Sequence, residues 1–240
     1  MSDQNMDKKA IWQRKWTIFK EYYLPYVFVA FFFLVLIVGI TIFDSISPDE
    51  AFMVVSVDVY NTDKTEEYME DFLESAGIDT EKNSVTCRSF ILDEVNQETI
   101  NAIQSIMAYI AAGQMDIGVM DRSSFTSYAY MGVYTDLRDY LTEEEFAKLE
   151  AVEGMVYYIE RADLEAAEGI QGEAEDIDLN AFGGKEGMED PVPVGFNLGL
   201  CGGKAYESFV NVNNEAFCGV IKNSVRTELC DQFLDYVINQ

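Results

Sequence analysis

Histidine is absent from the 240 residues, and this absence excludes several kinds of catalytic site. Histidine is the side chain that most often serves as a general base and as a transition-metal ligand, so a Ser-His-Asp triad or a Cys-His pair cannot form within this chain. The sequence also has no G-x-S-x-G, P-loop or G-x-G-x-x-G motif. Adjacent carboxylates are common, but in an acidic chain adjacency is no sign of tuned acid–base chemistry. We therefore predict a protein that is not an enzyme and that carries no cofactor.

Basic residues are scarce: 16 Lys and Arg face 43 Asp and Glu, for a net charge of −27. Residues 1–43 contain five of the 16 basic residues and only three of the 43 acidic ones. Residues 44–240 therefore contain 11 basic and 40 acidic residues, a net charge of −29. A region this acidic repels nucleic-acid phosphates and anionic lipid headgroups. We exclude nucleic acid as a partner and interpret most of the acidity as a solvated surface.

The four cysteines, Cys87, Cys201, Cys218 and Cys230, include no C-x-x-C pair. That spacing excludes a zinc ribbon and a thioredoxin-like site. Four cysteines allow three fully paired connectivities, and free buried thiols are at least as good an interpretation. The disulfide state is left open.

One long apolar segment, Leu24–Phe43, contains 20 residues and no charge. About 20 such residues span the hydrocarbon core of a bilayer as a helix. A buried core helix is disfavoured because the segment is apolar on all sides. A cleaved signal peptide is the stronger alternative, but its apolar region is shorter, and no small-x-small cleavage site follows here. We predict a single retained span through which the protein contacts the membrane.

The basic residues before this span set its predicted orientation. Lys and Arg flank the cytoplasmic end of membrane helices, and five of them precede Leu24. We expect a single-pass cell-membrane protein with a cytoplasmic N-terminus and an extracytoplasmic C-terminal domain. The predicted organisation is a basic tail over 1–22, a transmembrane helix over 23–43, a stalk over 44–51 and an α/β domain over 52–240.

The outer region alternates strand-like and helix-like segments. The predicted strands are Phe52–Tyr60, Val85–Leu92, Ile117–Met120, Met155–Ile159, Val192–Leu198 and Ala216–Ile221. Strands separated by helices imply βαβ units, so we predict an α/β fold with a mainly parallel sheet and helices on both faces. The acidic, glycine-containing stretch 163–190 is predicted to be a mobile loop or a broken helix.

Local signals predict several helix boundaries. The pairs Asp63/Glu66 and Thr142/Glu145 have the spacing of capping boxes, and either Asn223 or Ser224 is predicted to cap the last helix. Isoleucine and methionine recur at helical spacing between Gln97 and Ala112. Residues 121–124 are predicted to form a polar turn.

Three phrases of the sequence carry a family resemblance: AAGQMDIGVMD at 111–121, GVYTDLRDYL at 132–141, and FCGVIKNS at 217–224 followed by CDQFLDYV at 230–237. In this order they resemble the extracellular solute-binding proteins of bacterial ABC importers, which have the type II periplasmic-binding-protein fold. The resemblance implies small-ligand binding beside an ABC transporter or another membrane protein. Two departures are evident: the interval from Leu141 to Pro191 is too short for a second lobe, and no lipobox cysteine follows the apolar segment. The resemblance therefore implies one lobe on a membrane anchor.

Ligands of open α/β sheets bind beyond the carboxyl ends of the strands. This rule points to polar residues after three predicted strands: Tyr60, Asn61, Asp121, Arg122, Ser123, Ser124 and Asn197. Turn chemistry alone also explains Asn61 and Asp121. Asp176, Asp178 and Asn180 match the D-x-D-x-N opening of a calcium loop, but Ala181 and Gly187 replace the glycine and glutamate that such a loop needs.

Two functions remain after these exclusions. The first is a membrane-anchored extracytoplasmic solute-binding-like domain that works with an ABC importer or as a sensor lobe. The second is a non-catalytic protein-interaction module that keeps the fold without binding a small ligand. A defined pocket between the strand ends and the 163–190 stretch favours the first, and a flat or apolar exposed face there favours the second.

Overall fold

The computed structural model describes residues 3–46, 48–92, 96–167 and 183–240. The chain forms two compact units, Met1–Pro48 and Asp49–Gln240. Each unit is described by itself.

The N-terminal unit is helical over residues 3–46. Helix α1 (Asp3–Ile18) passes through a π-helical turn (Phe19–Tyr23) into helix α2 (Leu24–Ile46). The stretch Ile11–Gly39 is long and apolar enough to cross a membrane, and its side chains are exposed. This is consistent with a single-pass anchor, and the helix includes the predicted span.

The second unit is built on a six-stranded mixed sheet in the order β3-β1-β4-β8-β6-β5. Its strands are β1 (Asp49–Val57), β3 (Asn83–Phe90), β4 (Ile117–Met120), β5 (Val156–Glu160), β6 (Pro191–Asn197) and β8 (Phe217–Val220). The short strands β2 (Tyr60–Asn61) and β7 (Phe209–Val210) form a separate antiparallel pair. The first strand begins at Asp49, so the last three residues of the predicted stalk belong to the sheet.

Four of the six strands run in one direction, which agrees with the prediction of a mainly parallel sheet. Strand β1 is parallel to both β3 and β4, whereas β8 is antiparallel to β4 and β6, and β5 is antiparallel to β6. Residues 198–216 connect β6 to β8 and contain only short helices and one short strand. Strand β8 therefore enters the sheet at the same edge at which β6 ends. The next strand therefore runs in the opposite direction, a property that strand patterning does not encode.

Helices cover both faces of the sheet, as predicted. They are α3 (Thr65–Ser75), α4 (Gln97–Ala111), α5 (Arg122–Tyr130), α6 (Glu143–Glu150), α7 (Arg161–Ala167), α8 (Leu198–Cys201), α9 (Gly203–Ser208) and α10 (Thr227–Ile238), with a 3₁₀ turn at Leu137–Asp139. Phe52 and Val54 of β1 join one buried core with α3 and α10, whereas Met53 and Val55 join a second core with α4 and α5. This alternation follows from the two-residue period of a strand.

Some predicted helix boundaries are confirmed and others are wrong. Thr142 and Glu145 form the expected capping box. Asp63 and Glu66 do not, because α3 starts at Thr65 with Lys64 at its cap position, and the Thr65 hydroxyl accepts the backbone N–H of Thr62 instead.

Two further local predictions are corrected. Residues 122–124 are not a turn but the first residues of α5, because the Asp121 carboxylate accepts the backbone N–H of Ser124 and caps that helix. Neither Asn223 nor Ser224 caps α10, because the cap position is Arg226 and the Ser224 hydroxyl donates to a buried carboxylate. Of the stretch 163–190, for which a loop or a broken helix is predicted, residues 163–167 belong to α7, and 168–182 lie outside the described residues.

Candidate functional site

The carboxyl ends of β1, β4 and β6 lie at one edge of the sheet, together with the amino end of antiparallel β8. All seven predicted site residues follow or end these strands. The structure divides them into two groups. Arg122 and Asn197 line one cleft, and the other five are not among its lining residues.

The strand-end cleft has a volume of about 340 Å³. Its lining consists of Arg122, Glu153, Gly154, Asn197, Leu200, Asn213, Asn214 and Glu215. Ligand pockets in proteins usually measure about 300–1,000 Å³. The cleft therefore has room for a small solute.

Two residues of the cleft lining, Arg122 and Glu215, form an ion pair. One Arg122 guanidinium nitrogen, Nη2, lies 2.5 Å from Glu215 Oε1, and both side chains are partly buried. Arg122 opens α5 directly after β4, and Glu215 lies two residues before β8. Two adjacent strands thus bring opposite charges together from positions 93 residues apart.

Asn197 connects the end of β6 to the turn that follows. Only 5% of the residue is exposed, and its side-chain oxygen accepts the backbone N–H of Gly199 at 2.9 Å. Position 199 requires glycine because a Cβ atom there would lie 2.0 Å from the carbonyl oxygen of Asn214. This close approach places Asn214 against the start of α8.

A network of hydrogen bonds fixes the backbone beside the cleft around Asp58. Asp58 has a φ of 52°, in the left-handed region that non-glycine residues seldom adopt. Its carboxylate accepts the N–H of Leu92 at 2.7 Å and the hydroxyl of Ser124 at 3.2 Å. Its carbonyl oxygen accepts the side-chain amide of Asn211 at 2.8 Å. Asp121 therefore caps α5, and Ser124 joins that helix to Asp58 at the end of β1.

The remaining predicted residues lie outside the cleft lining. The side-chain oxygen of Asn61 accepts the Ser56 hydroxyl at 2.7 Å. Tyr60 is 51% exposed and pairs with Val210 in the small antiparallel sheet. Ser123 is half-buried in the first turn of α5.

Sequence reasoning missed Glu153, Asn213, Asn214 and Glu215, as well as Asp58. Residues 213–215 precede an antiparallel strand, whereas the strand-end rule selects only residues that follow a strand. Asp58 was included in the first predicted strand, which ends three residues earlier than expected. A stricter use of strand length and polarity would have exposed Asp58 as an end residue.

Metal binding receives no support from the part of the chain that the structure describes. No group of three or more Asp, Glu or Cys side chains there is arranged to hold an ion. The calcium-loop candidates Asp176, Asp178 and Asn180 lie outside the described residues.

Comparison of the chain with protein-family models, with curated proteins and with solved structures found no match. The function is therefore argued from the geometry of the site.

Proposed function

We propose that this protein is a membrane-anchored, extracytoplasmic domain that binds a small polar solute at the strand-end cleft. The observation that carries the proposal is the cleft itself, in which Arg122 and Asn197, two residues chosen from their place after strands, line a volume of about 340 Å³. Ligands of open α/β sheets bind at this edge. The fold and order of elements support a likeness to one lobe of a type II solute-binding protein.

The lining suggests the chemistry of the solute. Arg122 and Glu215 present one positive and one negative charge, while Asn213 and Asn214 offer amide donors and acceptors. Leu200 adds an apolar wall. We expect a small solute that carries a carboxylate, which pairs with Arg122, and an amine or hydroxyl group, which donates a hydrogen bond to Glu215.

The proposed location rests on charge. Five basic residues precede the apolar helix, and positive residues mark the cytoplasmic side of a membrane span. The acidic domain then lies outside the cytoplasm, where it delivers solute to an ABC importer or acts as a sensor lobe beside another membrane protein.

A second function, a protein-interaction module, is favoured by one specific observation. Leu200 in the cleft lining is 44% exposed, and Val212 in the nearby 211–214 turn is 86% exposed. Exposed apolar groups beside charged residues are typical of a protein contact surface. Under this alternative the ligand is a partner protein that covers both side chains.

A thermal-shift screen tests the proposal. The full chain in detergent micelles is melted with amino acids, short peptides, sugars, polyamines and calcium. A solute present at a hundredfold excess over its Kd stabilises the fold by about 2.7 kcal/mol. A reproducible shift with one class, reduced in Arg122→Gln but retained in Arg138→Gln, supports solute binding. A cooperative melt that no compound shifts contradicts it and favours the interaction module.

A further inference from the structure

The N-terminal helix carries a row of aromatic rings on one side. The row, here called the aromatic stripe, consists of Trp12, Trp16, Phe19 and Tyr23, whose rings stack in succession with centroids 5.8, 5.7 and 6.4 Å apart. Trp12 is 67% exposed and Trp16 is 48% exposed. A contiguous exposed apolar surface marks a face that a membrane or another molecule covers.

Lysines border the aromatic stripe. At 3.6 residues per turn, Lys15 and Lys20 lie on its two flanks, whereas Arg14 lies on the opposite face of the helix. A lysine beside an apolar face keeps its ammonium group in the polar layer while its methylene stem covers apolar surface. Tryptophan and tyrosine are enriched at membrane surfaces. An aromatic face flanked by lysines is typical of a helix that lies in the plane of the membrane surface.

The same lysines disfavour a second copy of the chain as the cover of the stripe. Two copies anchored in one membrane have the same orientation, so their helices would pair in parallel. In a parallel pair, the positions that flank the contact face meet across the interface and favour opposite charges. Lys15 and Lys20 occupy these positions and would bring like charges together. Lipid phosphates, in contrast, attract both lysines.

The helix has a bending point between the stripe and the apolar segment. Pro25 is the second residue of α2 in an uninterrupted helix, where its missing N–H and its ring bend the backbone. Directly before it, the N–H of Leu24 donates to the carbonyl of Phe19, five residues back, in the π-helical turn Phe19–Tyr23. Prolines and π-helical turns are the usual places at which helices bend.

Such a bend is needed for the stripe to reach the lipid. On a straight helix perpendicular to the membrane, Trp12 would lie about 18 Å and Trp16 about 12 Å from Leu24, where the apolar segment begins. The headgroup layer is only about 5–8 Å thick on each side of the bilayer. A straight helix would therefore leave both indole rings in water.

We propose that α1 lies on the membrane surface at which α2 begins, with the aromatic stripe among the lipid headgroups and with Lys15 and Lys20 beside lipid phosphates. The π-helical turn and Pro25 supply the bend. The proposal rests on the membrane anchor but not on solute binding at the strand-end cleft.

Tryptophan fluorescence tests this placement, because Trp12 and Trp16 are the only tryptophans of the chain. The full chain is reconstituted into vesicles of phosphatidylcholine and phosphatidylserine, with bromine on the acyl chains either near the headgroups or near the bilayer centre. Trp16→Phe and Trp12→Phe each leave one reporter. We expect shallow bromine to quench both reporters to a similar extent. Quenching of Trp16 alone would indicate a straight helix and overturn the proposal, as would quenching of neither.

Two controls separate the other outcomes. Phe33→Trp, in a chain with both tryptophans changed to phenylalanine, places a reporter in the middle of the apolar segment, where deep bromine should quench it. Failure there would refute the anchor and the proposal with it. If Trp12 is protected from acrylamide but is not quenched by bromine, a protein covers the stripe and the proposal is wrong.

A matched pair of variants tests which face meets the lipid. Lys15→Glu and Arg14→Glu, each combined with Trp16→Phe, make the same charge change on opposite faces. On the anionic vesicles, Lys15→Glu should lower the ratio of surface-bound to detached helix at least about fivefold, and Arg14→Glu should lower it less. Identical quenching in the two variants would overturn the assignment of the stripe to the lipid.

Discussion

The carboxylate of Asp116 accepts a hydrogen bond of 2.9 Å from the guanidinium group of Arg226, across 110 residues of chain. Asp116 is fully buried and also accepts the Ser224 hydroxyl at 2.6 Å and the backbone N–H of Met53 at 2.8 Å. One carboxylate thus joins β1, the start of β4 and the residues before α10. This cluster lies at the amino end of β4, at the edge opposite the strand-end cleft.

Removing this carboxylate should destabilise the domain. Asp116→Ala leaves the Ser224 hydroxyl and the Met53 N–H without their acceptor, whereas Arg226 keeps Glu50 at 3.6 Å. A buried donor that loses its acceptor costs about 1–3 kcal/mol. We expect Asp116→Ala to lower the free energy of unfolding by this amount, measured by urea denaturation and circular dichroism. Asp79→Asn, which breaks an exposed pair with Lys82, is the control and should change little. A loss below about 1 kcal/mol for Asp116→Ala, the size expected of a surface pair, would contradict the account.

Two glycines in the sheet should differ in their tolerance of alanine. A Cβ at Gly195 would lie 2.2 Å from the Phe125 ring and 2.7 Å from the carbonyl oxygen of Cys218. The three atoms nearest to a Cβ at Gly118 would belong to the side chains of Met115 and Tyr134, at 3.1–3.2 Å. Overpacking a core costs about 1–3 kcal/mol, so Gly195→Ala should reach at least this range and Gly118→Ala should cost less. Thermal melts that show the reverse order would refute this packing.

The capping box of α6 should make part of the stability depend on pH. The hydrogen bond from the Thr142 hydroxyl holds the pKa of Glu145 below its usual 4.5. A lowered pKa means that the contribution is present above pH 4.5 and is lost as the pH falls through the folded-state value. Thr142→Ala should cost about 1 kcal/mol at pH 7, and the difference from wild type should shrink below pH 4.5.

Glu145→Gln provides the control for this pH effect, because glutamine keeps the capping geometry without a titrating group. In the Glu145→Gln background, the cost of Thr142→Ala should be nearly the same at pH 7 and pH 4. A cost that still varies with pH in that background would show that another group is responsible.

All four cysteines are free thiols in the structure, and they should be unreactive in the folded protein. Burial raises the pKa of Cys87, Cys201 and Cys230 to about 12 and the pKa of Cys218 well above its usual value. The thiolate is the reactive form, so iodoacetamide at pH 8 should label the native protein slowly. In denaturant without reductant all four should react. Fewer than four labels, counted by mass spectrometry, would reveal a disulfide.

Much of the fold was predictable because hydrophobic periodicity is a local signal. The β-branched run in β1, the apolar tetrapeptide Ile117–Met120 and the helical spacing of α4 all appear where they were predicted. The last residue of α3 is followed by Ala76 and Gly77, and Gly77 has the positive φ expected after a helix.

The errors came from properties that depend on distant parts of the chain. Strand direction at β8 is set by the connection from β6, not by the residues of β8. Serine is a common helix-cap residue. The Ser224 hydroxyl nevertheless donates its hydrogen bond to a buried carboxylate 108 residues away. Asp121 was assigned to a turn because a cap and a turn use the same side-chain chemistry. In the strand-end cleft, the order of the strands brings Arg122 and Glu215 together. No sequence pattern near either residue predicts this pairing.

Direct binding at the strand-end cleft is the measurement that tests the proposed function most closely. The compound with the largest thermal shift is titrated by calorimetry into the full chain and into the double variant Arg122→Gln/Glu215→Gln, which removes both charges without leaving either alone. We predict saturable binding to wild type, at least about tenfold weaker binding to the double variant, and wild-type affinity in Arg138→Gln. An unchanged Kd in the double variant would contradict the assignment of the ligand to this cleft.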